Sequence, residues 1–203
     1  MSSIPFKPHV ISEMPMALQT QRVTIEQFDK FIRQPDLGDS IYELIGGEIV
    51  EKESSPFASA LAATISTYFV MHVRAQNRIG HVTGAAGGYY IANECYVPDM
   101  AYVSKKRLPE LSRTGYDAIA PEIVVEVIFD EQSVNEYRKL IYKITNYLAA
   151  GTTVWVVYPF SQVIDVHAPG QPVKRIGIDG TLDGGDILPE FKLPLRDVFQ
   201  SEN

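Results

Sequence analysis

Asp99 follows Pro98, Glu126 interrupts the apolar run from Ile123 to Ile128, and Lys143 lies in a stretch of helical periodicity. Two carboxylates and one ammonium, delivered by strand, strand and helix, suit metal-assisted hydrolysis of a phosphodiester, in which a divalent cation activates water and relieves phosphoryl charge. Pro98 has no backbone donor and holds Val97 extended, so Asp99 can project from a defined strand start. Asp99 can equally accept only turn hydrogen bonds after the proline. Glu126 is harder to explain structurally, because an unpaired carboxylate in a buried strand costs several kcal/mol or more.

These residues need elements to hold them. Thr24 and Gln27 form a capping-box pair before Ile25, Phe28, Phe31 and Ile32, predicting a helix that Pro35 closes. Tyr42 to Lys52 reads as a hairpin turning at Gly46-Gly47, a pair that accepts positive backbone angles. Ser54-Ser55-Pro56 then caps a long helix with Leu61, Ile65, Tyr68, Phe69, His72 and Val73 at helical spacing. Short strands are expected around His81–Thr83, Gly88–Ala92 and Val97–Ser104, and a central strand at Ile123–Ile128. A second long helix runs from about Val134 to Ala150 with Tyr137, Leu140, Ile141, Ile144 and Leu148 on its apolar face, and Gly151 ends it. Val154–Tyr158 is a nearly unbroken apolar strand, buried on both faces. Val163–His167 and Val173–Ile178 make a peripheral hairpin, and Leu182–Phe199 folds back over the sheet. Residues 1–22 read as an arm and 23–203 as one domain.

The chain resembles the PD-(D/E)XK nuclease superfamily and, within it, a bacterial family of restriction-endonuclease-like proteins of Uma type. The resemblance is carried by Tyr42-Glu43-Leu44-Ile45-Gly46-Gly47-Glu48, Pro98-Asp99, Val125-Glu126-Val127, Lys143-Ile144-Thr145-Asn146-Tyr147-Leu148-Ala149-Ala150-Gly151 and Leu188 to Leu195. It implies an α/β fold with a restriction-endonuclease-like core: a central mixed β-sheet flanked by helices, with a peripheral C-terminal hairpin. It implies Asp99, Glu126 and the backbone carbonyl of Val127 as metal ligands, an all-oxygen set that favours Mg2+, with Mn2+ as the alternative. The lysine common two residues after the second carboxylate is replaced by Ile128, and Lys143 fits the place on the following helix to which this family moves it. There its stem can lie on the core edge while the ammonium reaches a metal-bound water or the scissile phosphate, or it can simply pair with Glu126. Lys139 is a rival. Tyr147 can orient Lys143 or pack. Glu48 is a further acid for the metal or a hairpin residue facing water, and Glu43 is a weaker candidate. Two departures stand out: Ile128-Phe129-Asp130-Glu131 replaces a common Leu-Ser-Pro-Ser, and the long first helix carries no acid.

Cys95 is the sole cysteine, so there is neither an intrachain disulfide nor a cysteine cluster for zinc, as expected of a cytoplasmic protein. Residues Pro56 to Val73 carry no formal charge, but polar interruptions favour a buried helix over a membrane span. A net charge of −7 argues against strong nonspecific duplex binding, unless a local patch such as Lys105, Lys106, Arg107 and Arg113 supplies cations. The reading is thus a metal-dependent endonuclease with DNA as partner. The alternative is a nuclease-fold binding or assembly module with weak or no hydrolytic activity. The uncharged helix and the arm further suggest a symmetric homodimer.

Overall fold

The computed structural model describes residues 22–77, 79–128 and 130–199. The expected arm therefore lies, apart from Arg22, outside the described residues. In chain order come α1 (Ile25–Phe31), β1 (Tyr42–Ile45), β2 (Glu48–Glu51), α2 (Pro56–Ala75), β3 (Gly80–Gly84), β4 (Tyr89–Ile91), β5 (Glu94–Tyr96), β6 (Met100–Ser104) and β7 (Ile123–Val127). Then follow α3 (Val134–Ala149), β8 (Thr153–Tyr158), β9 (Val163–His167), β10 (Lys174–Gly177), β11 (Thr181–Gly184), β12 (Leu188–Pro194) and α4 (Leu195–Phe199).

Three local signals act as their chemistry dictates. Thr24 and Gln27 close a reciprocal capping box on α1, Ser55 accepts the Ala58 amide at the start of α2, and Ser133 accepts the Glu136 amide at the start of α3. Gly46 and Gly47 turn the β1–β2 hairpin at φ +63° and +79°, angles that side-chain-bearing residues adopt only with strain.

The central sheet runs β10-β9-β8-β7-β6-β3 and is mixed: β7 and β8 are parallel, joined through α3, and every other pair is antiparallel. The period of two along each strand sorts the core. Met100 and Tyr102, Ile123 and Val125, and Trp155 and Val157 face α2 with its buried Leu61, Ile65, Phe69 and Val73. Ala101, Val124, Val154 and Val156 face α3 with its Leu140, Ile144 and Tyr147. The returning segment β11-β12-α4 closes the α2 side through Leu182, Leu188, Phe191, Leu193, Leu195 and Val198, as expected for a tail folded over the sheet.

β9 and β10 form the expected peripheral antiparallel hairpin, at the edge of the central sheet. Other expectations need correction. Tyr137 and Ile141 of α3 are exposed, because the helix buries a narrower stripe through Leu140, Lys143, Ile144 and Tyr147. A second sheet, ordered β2-β1-β5-β4, was not anticipated; it packs Leu44 and Cys95 against Phe28 of α1 and turns Ile45, Ile91 and Tyr96 toward α3. Among the described residues α2 is the one helix long and apolar enough to span a membrane. Its stripe from Leu61 to Val73 instead covers the sheet, while Phe57 and Met71 on its outer side are exposed.

Candidate active site

Sheet register brings the two carboxylates together. The β6–β7 ladder ends with Met100 paired to Val125, and Asp99, the next residue along, lies beside the end of β7 that carries Glu126. Both then share the face of Ala101 and Val124, the one that α3 covers. β6 proper begins only at Met100, and the Asp99 side chain continues the ladder: its Oδ2 accepts the Val127 amide at 2.7 Å, while its own amide donates to the Val125 carbonyl at 3.0 Å.

Lys143 descends from α3 onto this pair. Its Nζ donates to Glu126 Oε2 at 2.8 Å and to Glu43 Oε1 at 2.9 Å, and lies 5.7 Å from the centre of the Tyr96 ring. Tyr147, one helical turn on, donates its hydroxyl to Glu126 Oε1 at 3.2 Å. Glu43, Glu126 and Lys143 are only 5–6% exposed, so the three charges stay buried by compensating one another. Burial raises the Glu126 carboxyl above the ordinary carboxylate range, to about 7; Lys143 and Lys52 oppose the rise, and Glu43 and Asp99 add to it. Burial by itself pulls Lys143 down, but the adjacent Glu126 and Glu43 carboxylates prevail and hold it protonated well above the usual lysine range. Tyr147 is likewise pushed far up, by burial first and then by Glu126 and Glu43, and stays a neutral donor.

Glu43 is the acid that sequence reasoning ranked too low. It alternates with Ile45 on the α3 side of β1, and its Oε1 accepts the Val97 amide at 2.7 Å as well as Lys143. Glu48 faces the same way but stands at the turn end of β2, where it is exposed and lines an outer groove with Arg138 and Tyr142. Lys52 was missed altogether. Two residues beyond Val50, it points into the cleft, with Nζ 2.9 Å from Asp99 Oδ1 and 2.6 Å from the Val97 carbonyl. Period-two alternation carries Glu43 and Ile45 on one strand and Val50 and Lys52 on the next, and that was the signal available. Glu94 was also missed: its carboxylate accepts the Gly46 and Gly47 amides at 2.6 and 3.1 Å and the Tyr96 hydroxyl at 3.2 Å, while Asn146 of α3 donates to that hydroxyl. The glycine turn, the Tyr96 ring and α3 are thereby tied into one support for Lys143.

The cleft encloses about 330 Å³. Asp99, Glu126, Val127 and Lys143 line it together with Glu43, Lys52 and Lys139, and its rim carries Glu51, Glu53, Asp130 and Glu136. Lys139 sits one turn before Lys143 on the same helix face, half-buried. The basic run considered as a local patch is elsewhere. Lys105, Lys106 and Arg107 follow the far end of β6, roughly 17 Å from Asp99 at ~3.3 Å per residue, and Arg107 is engaged in capping α3 through the Ala150 carbonyl. In the divergent segment after Ile128, Glu131 binds the Phe160 amide and the Ser161 hydroxyl, pinning the β8–β9 turn, and Glu136 accepts the Asp130 amide.

A mixed sheet whose adjacent strand ends present two acids to a lysine-bearing helix has the architecture of a nuclease fold. The structure superposes with a TM-score of 0.72 on that of a "putative nuclease belonging to DUF820" from Anabaena variabilis, at 23% identity over 88% of this chain and 98% of that one. Residues 25–196 match the model of the Uma2 family, described as "Putative restriction endonuclease", and the chain belongs to that family. No curated protein matches it.

Proposed function

We propose that this protein is a divalent-metal-dependent endonuclease that hydrolyses DNA phosphodiester bonds. The observation that carries the reading is the convergence of Asp99 and Glu126, from the neighbouring ends of β6 and β7, with Lys143 in one cleft. Among the described residues no group of three or more His, Cys, Asp and Glu is arranged to cage an ion. Mg2+ needs none, since it keeps several waters and takes one or two carboxylates. The donors present fit it: Asp99 and Glu126, with Val127 lining the same cleft, belong to a group of three acids, completed by Glu43, that already draws two ammoniums to within 3 Å. Asp99, Glu126 and Val127 would hold Mg2+ or Mn2+, which when bound lowers the pKa of water and offsets phosphoryl charge.

The remaining residues have derivable tasks. Lys143, clamped by two carboxylates, is an ammonium, so it supplies positive charge and a proton toward the phosphate or leaving oxygen and does not serve as a base. Glu43 fixes its direction. Tyr147 and the Val127 amide each occupy one oxygen of Glu126 and Asp99, which leaves the other oxygens directed by the lysines.

The acidic rim of Glu51, Glu53, Asp130 and Glu136 favours a second reading, a nuclease-fold binding or assembly module in which Lys143 and Lys52 are salt-bridge partners only. Plasmid cleavage separates the two. Supercoiled DNA is expected to be nicked with Mg2+ or Mn2+ and left intact with excess chelator, and Asp99→Asn and Glu126→Gln to abolish nicking while keeping the wild-type circular dichroism. Undiminished nicking in both variants refutes the assignment; metal binding without cleavage of any nucleic acid supports the module.

A further inference from the structure

Lys52 directs one oxygen of Asp99 but has no task toward the substrate, although it lies in the heart of the cleft. Its Nζ lies 2.9 Å from Asp99 Oδ1, its side chain and that of Asp99 are about nine-tenths buried, and the Val97 carbonyl fixes it at 2.6 Å. Its backbone amide donates to the Ile41 carbonyl at 2.8 Å, so the stem starts from a fixed point and only the side chain is free to swing. Asp99 therefore meets Lys52 on one oxygen and the Val127 amide on the other.

The charges of the cleft floor give this contact a meaning. With Glu126 ionised, Glu43, Asp99 and Glu126 face Lys52 and Lys143, which leaves one net negative charge. A divalent cation on Asp99 and Glu126 turns that into one net positive charge and brings an ammonium against a cation of twice its charge. One phosphodiester group restores neutrality. Lys143 cannot leave, because it is held between two buried acids; Lys52 is held by one.

We propose that Lys52 is an internal counter-ion for Asp99 that the incoming divalent cation displaces, and that the released ammonium then binds the phosphate of the nucleic acid. The inference rests on the metal-dependent reading of the site. Its consequence is reciprocal coupling: metal binding frees a phosphate ligand, and phosphate binding offsets the repulsion that the metal creates.

Calorimetric titration of the full chain with Ca2+, an oxygen-seeking probe ion, reads the first half without reference to activity. Lys52→Met, which keeps the stem and removes the competitor, is expected to bind Ca2+ about tenfold tighter or more, and Lys52→Arg to stay within about threefold of wild type. With saturating Ca2+, the slope of log affinity for a short DNA duplex against log salt is expected to fall by about one in Lys52→Met, the loss of one phosphate contact. A second measurement needs no variant: acylation of Lys52 in the wild-type chain, followed by mass spectrometry, should rise several-fold when Ca2+ is added. Unchanged Ca2+ affinity in Lys52→Met, an unchanged salt slope, or unchanged labelling overturns the proposal. If wild type binds Ca2+ and Asp99→Asn does not, such a failure leaves the nuclease reading standing. If wild type binds no divalent cation at all, both fall together.

Discussion

Replacing Lys143 by Met isolates the central electrostatic argument, because methionine keeps the length of the stem and removes only the ammonium. Two carboxylates, Glu43 at 2.9 Å and Glu126 at 2.8 Å, then lose their shared partner in a place nearly closed to water. Removing one partner of a buried pair costs about 3–5 kcal/mol, since the remaining charge stays buried without compensation. For a chain of this size that corresponds to a fall of roughly 6–20 °C in Tm, at about 2–4 °C per kcal/mol. The loss must depend on pH. Glu126 in the folded chain titrates above its unfolded value, so it contributes stability that is full below the unfolded value and is lost as pH rises through about 7. Without Lys143, one of the two ammoniums opposing that rise is gone, the folded value climbs further, and the penalty at pH 8 grows while that at pH 5 is relieved by protonation. Urea denaturation is expected to show the full loss at pH 8 and only about 1–2 kcal/mol at pH 5, with Glu126→Gln restoring part of the pH 8 loss in the double variant. Equal losses at the two pH values, or a loss below about 1 kcal/mol at pH 8, would refute the claim that these charges depend on one another.

The proton on Glu126 must leave when a cation binds, so Mn2+ affinity should rise with pH, approaching tenfold per unit below about 7, with matching proton release in calorimetry across buffers; a flat profile removes Glu126 from the ligand set. Tyr147→Phe deletes one donor to Glu126 and should lower stability by about 1 kcal/mol and depress kcat more than KM; an unchanged kcat makes Tyr147 a packing residue only. Glu131→Ala unpins the β8–β9 turn and should cost about 1–2 kcal/mol without altering Mn2+ affinity, because that carboxylate binds Phe160 and Ser161 rather than the cleft. Light scattering at micromolar concentration should give the mass of a dimer, since Phe57 and Met71 stand exposed on α2 and a duplex offers two strands to cut; a monomer mass ends that idea.

What the sequence made legible was local. A buried acid in an apolar strand, a proline before Asp99, capping residues and a period of 3.6 in α3 each have a physical signature within a few residues. Asp99 and Glu126 could be named from such signals because each stands out locally, one after Pro98 and the other as the lone acid of an apolar run. Glu43 and Lys52 were harder to place despite their alternation, since their position depends on the second sheet, and β5, which pairs with β1 at Leu44 and Cys95, is only three residues long. Strand periodicity over three residues carries almost no signal. Glu94 was hidden for the same reason: its task is to bind the turn amides of a hairpin some 47 residues earlier. The basic run Lys105-Lys106-Arg107 is conspicuous in sequence, but it follows the end of β6 opposite to Asp99, as suits a solvated loop.

The difference between these residues also explains how the lysine can stand on α3 rather than two positions after Glu126. The pair Asp99 and Glu126 draws on the sheet, because the neighbouring ends of β6 and β7 bring both acids to one cleft. An ammonium needs only a stem that ends there. Any element covering the same face can supply it, and α3, which joins the parallel pair β7 and β8, packs Leu140, Ile144 and Tyr147 on that face. With Lys143 supplied from above, the strand position two residues after Glu126 is released to Ile128, which packs in the α3-side core. A helix-borne lysine has one cost, since its reach depends on the helix staying in register with the sheet. Glu43, the Tyr96 ring and the Asn146–Tyr96–Glu94 chain all bear on that register from the second sheet, so the hairpin and β5 are expected to act on catalysis through the position of Lys143, without touching substrate.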